Sequence, residues 1–284
     1  MKVTRTNRDL RNELGPHHTA GRTIGFVPTM GALHEGHLSL LQAARTSSDI
    51  VVMSIFVNPR QFGPHEDLAG YPRDEAADLE VAEGAGVDIA FCPPAREMYP
   101  PGASSSVAVG PLGDVLEGEA RPGHFTGVAT VVAKLLNVVQ PRAAYFGQKD
   151  AQQVAVVRRM VTDLSFDVDI VVCPTVRAPD GLALSSRNRY LLPEERARAT
   201  VLSRTLEAGR HAWGTSRSLE VVEKRMWEAL ISQEGVEPGY AAAVDPATFA
   251  RPRLDGPVLL VVAAQVGRTR LIDNILLEPR GRQE

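Results

Sequence analysis

Two histidines three residues apart, His34 and His37, stand in the segment PTMGALHEGHLSLL (residues 28–41), where an apolar run ends and a helical pattern begins. The first N–H groups of a helix lack intrahelical partners and carry partial positive charge, so phosphate binds there; Gly31 and Gly36 let it approach the backbone closely. At this spacing both imidazoles lie on one helix face and reach the same bound group. Imidazole can donate to a phosphoryl oxygen and changes charge near neutral pH, so the pair suits chemistry at phosphorus. The spacing is not the His-Glu-x-x-His of zinc peptidases, and no protein-held metal is expected. The two commonest nucleotide fingerprints, G-x-x-x-x-G-K-[S/T] and G-x-G-x-x-G after the first strand, are both absent.

Three further segments carry polar groups suited to the same work. LALSSRNRY (residues 182–190) offers the hydroxyls of Ser185 and Ser186 and the guanidinium of Arg187, whose planar fork grips phosphate oxygens bidentately. In YFGQKDAQQ (residues 145–153) a strand again runs into glycine and then a helix, and Lys149 is one of only four lysines among 31 basic residues. The dipole disfavours a cation at a helix start, so a bound anion accounts for Lys149 there. In SIFVNPRQFGPHEDLAGYPRD (residues 54–74) the neutral Asn58 and Gln61 suit the hydroxyls of a small substrate, with Phe62 and Tyr71 as pocket walls. Arg121, His124 and Asn137 are lesser candidates.

The elements that must position these residues are legible from periodicity. Apolar, β-branched runs at 23–28, 50–57, 87–92, 143–147 and 167–172 alternate with helical patterns at 38–45, 74–83, 128–139 and 150–164. Such alternation predicts β-α-β units and a parallel sheet, and near-continuous apolar strands such as IVVMSIFV suit a sheet covered on both faces. Loops are expected at 58–73, 93–105 and 117–127; connections of this length are usually functional, and ligands of open α/β sheets bind beyond the carboxyl ends of the strands. After Pro174 the pattern changes to a polar segment, a helical stretch from Pro193, and PVLLVVAAQVGRTRLIDNILLE (residues 257–278), which reads as two strands about a glycine turn. The expected fold class is α/β: a Rossmann-like parallel sheet with helices on both faces over residues 1–175, and a smaller α+β domain over 176–284 that closes over the active site.

Composition narrows the partners. The net charge of −3 gives no bulk basic field, so nucleic acid is not the expected partner. The N-terminus lacks an apolar signal region and no apolar stretch is long enough to span a bilayer, so a cytoplasmic protein without a membrane partner is expected. Cys92 and Cys173, each before a proline at the end of an apolar run, match neither a metal knuckle nor a redox pair and are expected as buried thiols.

Taken together, PTMGALHEGH, SIFVNPRQFG, YPRD, EGEARPGHFTGV, FGQKD, LALSSRNRYL and RLIDN, spread over nearly the whole chain, resemble the pantothenate synthetase family, the pantoate:β-alanine ligases of the HxGH nucleotidyltransferase superfamily. The resemblance implies a reaction in which pantoate and ATP form a pantoyl adenylate and pyrophosphate, and β-alanine then displaces AMP to give pantothenate. It implies a catalytic set of His37, His34 and Lys149, with His37 in the proton donor's place. It implies ATP contacts from Met30, Gly31, His34, Gly36 and His37, from Gly147, Gln148, Lys149 and Asp150, and from Val176, Leu184, Ser185, Ser186 and Arg187, with Val176 near adenine. Gln61 and Gln153 match the pantoate-binding glutamines. Mg2+ is implied on the phosphates, held mainly by ATP and water, and the assembly is implied to be a homodimer. Two departures stand out: Gln148 where the family more often has Glu, and Ala151 where it is often aromatic.

Two rival readings stay open at this point: a cytidylyl- or adenylyltransferase acting on a phosphate substrate, and a nucleotide sensor without turnover. The neutral Gln61 and Gln153 favour a hydroxy acid over a phosphate, and the intact His34, His37, Lys149 and Arg187 favour turnover.

Overall fold

The computed structural model describes residues 1–64 and 66–277; His65, in the loop at 58–73, and Glu278 onward, which end the C-terminal stretch and the expected second domain, lie outside the described residues. The chain divides into two units, one comprising Met1–Gly147 and Val156–Pro174, the other Gln148–Ala155 and Thr175–Glu284.

The first unit is built on six parallel strands: β1 (Lys2–Thr4), β2 (Ile24–Thr29), β3 (Ile50–Ile55), β4 (Ile89–Phe91), β5 (Ala143–Gly147) and β6 (Asp169–Cys173), in the order β1-β4-β3-β2-β5-β6. Its helices are α1 (Asn7–Thr19), α2 (Glu35–Ser47), α3 (Glu75–Gly84), the single turns α4 (Ala95–Met98) and α5 (Glu117–Ala120), α6 (His124–Val139) and the later part of α7 (Ala151–Asp163). Both faces of the central strands are buried. Val27, Val51 and Met53 pack with Leu40, Leu41 and Ala44 of α2 and Ala82 of α3. The alternate residues Phe26 and Val52 are buried as completely, and α6 packs on β2. This double burial is why the strands read as unbroken apolar runs. From β2 the chain steps outward through β3 to β4, then returns to lay β5 and β6 on the other side of β2. The switch in direction between β2 and β5 makes the carboxyl ends of these two strands the preferred ligand position in such sheets.

The second unit carries α8 (Pro193–Ala199), α9 (Val201–Ser216) and α10 (Leu219–Ile231), followed by an antiparallel sheet of β7 (Val236–Val244), β8 (Val258–Val266) and β9 (Thr269–Leu277) with β8 in the middle. Leu202, Leu206, Val222, Met226 and Leu230 of α9 and α10 form its core with Leu260, Val262 and Ala264 of β8.

Several elements differ from the sequence expectation. The C-terminal sheet has three strands rather than two: β7 contains Pro238 and Gly239 and a register shift between Pro238 and Tyr240, so its alternation is broken. β1 is three residues long, and α1 buries only Leu10 and Leu14 while carrying Gly15 and Pro16, so neither shows a sustained period. α6 begins at His124 rather than Val128. There Gly127 is a packing residue, since a Cβ would overlap the carbonyl of Arg60 in the 3₁₀ turn Pro59–Gln61. Gln148–Ala155, expected with the first domain, groups with the second unit. Cys92 and Cys173 are buried free thiols at the ends of β4 and β6, and burial pushes Cys92 up to about 11, which keeps it protonated and unreactive.

Candidate active site

The turn that leaves β2 is held from below. Thr29 Oγ1 donates to the Ser54 carbonyl (2.6 Å) and accepts from Gly31 N–H (3.2 Å). Gly31 and Ala32 then take left-handed conformations, at φ 82° and 53°. The Asp78 carboxylate of α3, 5% exposed, accepts from Ala32 N–H and Leu33 N–H, both at 2.8 Å. A Cβ at Gly31 would lie 2.7 Å from that carboxylate, so glycine is required for the close approach as well as for its φ. Sequence reasoning did not single out Asp78, because in DEAADLEVAEG it reads as one more solvated helix acid.

His34 is the N-cap of α2: its Nδ1 accepts from Gly36 N–H (3.1 Å), and His37 Nδ1 accepts from His34 N–H (3.3 Å). The two rings lie 4.1 Å apart. An Nδ1 that accepts a hydrogen bond places the proton of a neutral imidazole on Nε2, so the hydrogen-bond network assigns both rings as Nε2–H donors. Gly36 is also sterically set, since a Cβ there would come within 2.8 Å of the His34 ring. Thus a helix start and two neutral donors occur together beyond the carboxyl end of β2.

Beside this turn stands Gln61, whose Nε2 donates to Met30 Sδ (3.1 Å) and whose Oε1 accepts from Asn58 (3.0 Å). Asn58 also donates to the Gly127 carbonyl (3.1 Å) and accepts from Tyr99 Oη (2.8 Å), which locks the 3₁₀ turn. The Gln61 carbonyl accepts from His124 Nδ1 (2.8 Å) and from Arg121 (3.3 Å), and Arg121 is paired with Glu66 through two hydrogen bonds. Burial works to raise the Glu66 carboxyl, but the hydrogen bond and charge of Arg121 hold it low. The positive charge near Gln61 is therefore matched by Glu66. Phe62 and Tyr71 meet edge to face at 5.9 Å, whereas Asn137 lines a separate hollow with Arg60 and Tyr99.

His124 makes the stability of this unit depend on pH. Burial, then the charge of Arg121, lowers its pKa from 6.5 to about 4, and the neutral ring donates from Nδ1 while Arg121 meets Nε2 at 3.1 Å. A lowered folded-state pKa means that the unfolded chain takes up this proton first as pH falls. Stability is then complete above pH 6.5 and is lost progressively down to about pH 4, by up to about 3 kcal/mol. Denaturant unfolding of His124→Gln against the parent between pH 4 and 7 is expected to show a flatter slope in the variant; parallel curves would refute the buried neutral imidazole.

In the second unit, Gln148–Asp150 form a 3₁₀ turn leading into α7, where Lys149 Nζ lies 3.2 Å from Asp150 Oδ1 and Gln153 is half-buried. Asn274 of β9 grips this turn, donating to the carbonyls of Gln148 (2.9 Å) and Lys149 (2.8 Å). Val176 and Leu184 face each other across a short hairpin, with Leu184 N–H on the Val176 carbonyl (2.9 Å). Ser185 then caps the 3₁₀ turn Ser186–Tyr190 by accepting from Arg187 N–H (3.3 Å). Within the first unit the structure thus gathers Met30, Gly31, His34, Gly36, His37 and Gln61, and places Gly147 at the end of β5. Within the second it gathers Gln148, Lys149, Asp150 and Gln153 on one segment, and Val176, Leu184, Ser185, Ser186 and Arg187 on another.

Comparison with known proteins identifies the family. The family profile described as pantoate-beta-alanine ligase matches residues 2–276. The chain is 51% identical over 281 residues to a pantothenate synthetase of Moorella thermoacetica, covering 98% of this chain and 99% of that one. It is 56% identical to a pantothenate synthetase of Acidobacterium capsulatum, covering 90% of this chain and 86% of that one. Among solved structures, a pantothenate synthetase of Thermus thermophilus superposes with a TM-score of 0.91 at 48% identity, covering 97% of this chain and 99% of that one. The pantoate-beta-alanine ligase of Francisella tularensis, in complex with β-γ ATP and β-alanine, gives 0.80 at 34% identity, with 97% of both chains covered. With its profile matched from residue 2 to residue 276 and half its residues shared with such relatives, the chain belongs to the pantoate–β-alanine ligase family.

Proposed function

We propose that this chain condenses pantoate with β-alanine, using ATP, through an enzyme-bound pantoyl adenylate. A carboxylate is a poor electrophile. Attack of a pantoate carboxylate oxygen on the α-phosphorus forms the mixed anhydride and breaks the α–β phosphoanhydride bond, so that pyrophosphate leaves. The amine of β-alanine then attacks the activated carbonyl and AMP departs with the C–O electron pair, giving the amide. The protein's task is alignment and neutralisation of charge at phosphorus.

The observation that carries this reading is the pair of neutral Nε2–H imidazoles at the start of α2, on a turn fixed by Asp78. On this reading His34 and His37 donate to phosphate oxygens, with His37 on the leaving side, and Met30, Gly31 and Gly36 line the nucleotide's path. Lys149, with Gly147, Gln148 and Asp150, meets the phosphates; Ser185, Ser186 and Arg187 grip the triphosphate, and Val176 and Leu184 lie by the adenosine. Gln61 and Gln153 hold pantoate. The pairing of Arg121 with Glu66 offsets the cation beside Gln61, which favours a hydroxy acid over a phosphate ester there. Mg2+ suits this scheme as a hydrated ion on the phosphates; among the described residues no three His, Cys, Asp or Glu group as an ion cage. A homodimer in the cytoplasm completes the proposal, and none of the described helices is long and apolar enough to cross a membrane.

Pantoate labelled with ¹⁸O in its carboxylate tests the route. Label is expected in AMP, one atom per turnover, with pyrophosphate unlabelled. Unlabelled AMP rules out attack at the α-phosphorus. Arg187→Lys tests the triphosphate grip: loss of the planar fork is expected to raise the KM for ATP about tenfold or more. An unchanged KM and kcat would remove Arg187 from the site.

A further inference from the structure

The turn that carries Lys149 and the hairpin that leads to Ser185–Arg187 are both tied to one pair of adjacent residues on β9, Asp273 and Asn274. Asn274 is 4% exposed and its amide is fully engaged: Nδ2 donates to the carbonyls of Gln148 and Lys149 at 2.9 and 2.8 Å, and Oδ1 accepts from Gln148 Nε2 at 3.0 Å. The partners fix which end is which, because two carbonyl oxygens can be satisfied only by the NH2 group. Asp273 takes Arg177 bidentately at 2.6 and 2.9 Å and accepts Asn274 N–H at 2.8 Å. Arg177 also donates to the Gly181 carbonyl (3.1 Å) and bridges to Ala183, which roots the hairpin ending at Leu184.

These bonds have a directional consequence. In a trans peptide the C=O and the next N–H point opposite ways. Holding the carbonyls of Gln148 and Lys149 on the Asn274 side therefore turns the N–H groups of Lys149 and Asp150 away from it. It also prevents either carbonyl dipole from swinging round to oppose a polyanion near Lys149.

We propose that Asn274 is a positioning residue for the adenylation step: it sets the two peptide planes that flank Lys149, and the Asp273–Arg177 ion pair fixes Asn274 itself. The inference rests on the reading of Lys149 as a phosphate contact. The full-length enzyme with Asn274→Ala, Lys149→Ala and both together, measured by pantoate-dependent pyrophosphate release, tests it. Asn274→Ala is expected to lower kcat about 10- to 100-fold, the scale of a misplacement near 1 Å, with the KM for pantoate within about twofold. Added to Lys149→Ala, it is expected to cost less than about threefold more, because the two peptide planes act by setting the direction in which the Lys149 ammonium leaves the turn, and that variant has no ammonium to direct. Equal losses in both backgrounds, or a kcat per folded molecule that does not change, overturn the role of Asn274. Wild-type turnover in Lys149→Ala alone overturns the reading of Lys149, and this inference with it. Should circular dichroism show Asn274→Ala to be unfolded, Asn274→Ser carries the same cycle.

Discussion

Replacing His37 with alanine is expected to lower the rate of pantoate-dependent pyrophosphate release by about 10²- to 10⁴-fold, the range for a positioned proton-transfer group. Two features of the site give the effect its size. The side chain is presented at the start of α2, where its Nδ1 is already committed to His34 N–H at 3.3 Å, so the ring needs no tautomer change to donate from Nε2. Alanine removes that donor and also the acceptor that satisfied His34 N–H, which loosens the neighbouring ring, 4.1 Å away. Because the donor acts on charge that develops as the α–β bond breaks, kcat should fall more than the KM for ATP rises. Near-normal pyrophosphate release from a folded His37→Ala enzyme would remove it from the chemistry.

Asp78→Asn is the second large effect, and it acts at a distance from phosphorus. The carboxylate presents one oxygen to Ala32 N–H and the other to Leu33 N–H, each at 2.8 Å. An amide of the same shape keeps one acceptor and turns an NH2 group toward the other donor. One buried N–H is then left unsatisfied, at about 1–3 kcal/mol. The left-handed conformation of Ala32 depends on the same support, so the turn relaxes and the histidines shift from their donor positions. The expected result is a lower melting temperature together with a fall in kcat of about 10²-fold. A melting temperature lowered with unchanged kcat would show that Asp78 serves the fold and not the chemistry proposed for this turn.

What the sequence disclosed and what it concealed divide along a physical line. The central strands were legible because burial on both faces makes Ile50–Ile55 apolar throughout, and the strand-glycine-helix junctions at Gly31 and Gly147 announce backbone that a phosphate can approach. β7 was not legible, because Pro238 and the irregularity beside it break the alternation that marks a strand. The first turn of α6 was obscured by Gly127, whose reason for being glycine is a carbonyl contributed by a turn far back in the chain. The residues proposed to meet ligand announced themselves by type, as His34, His37, Lys149 and Arg187 do. Those that hold them did not: Asp78 reaches back 46 residues to Ala32, and Asn274 reaches back 125 to Lys149. Local pattern carries no trace of partners so distant, and RLIDN gave only the resemblance, without a role for its asparagine.

A crystal structure of the enzyme with a non-hydrolysable ATP analogue and pantoate would show whether the turn from Met30 to His37 holds the nucleotide. Nε2 of His34 and of His37 are expected at about 3 Å from phosphate oxygens, with the pantoate carboxylate in line with the α-phosphorus and the pantoate hydroxyls on Gln61. A nucleotide bound away from the turn between Met30 and His37 would contradict this reading.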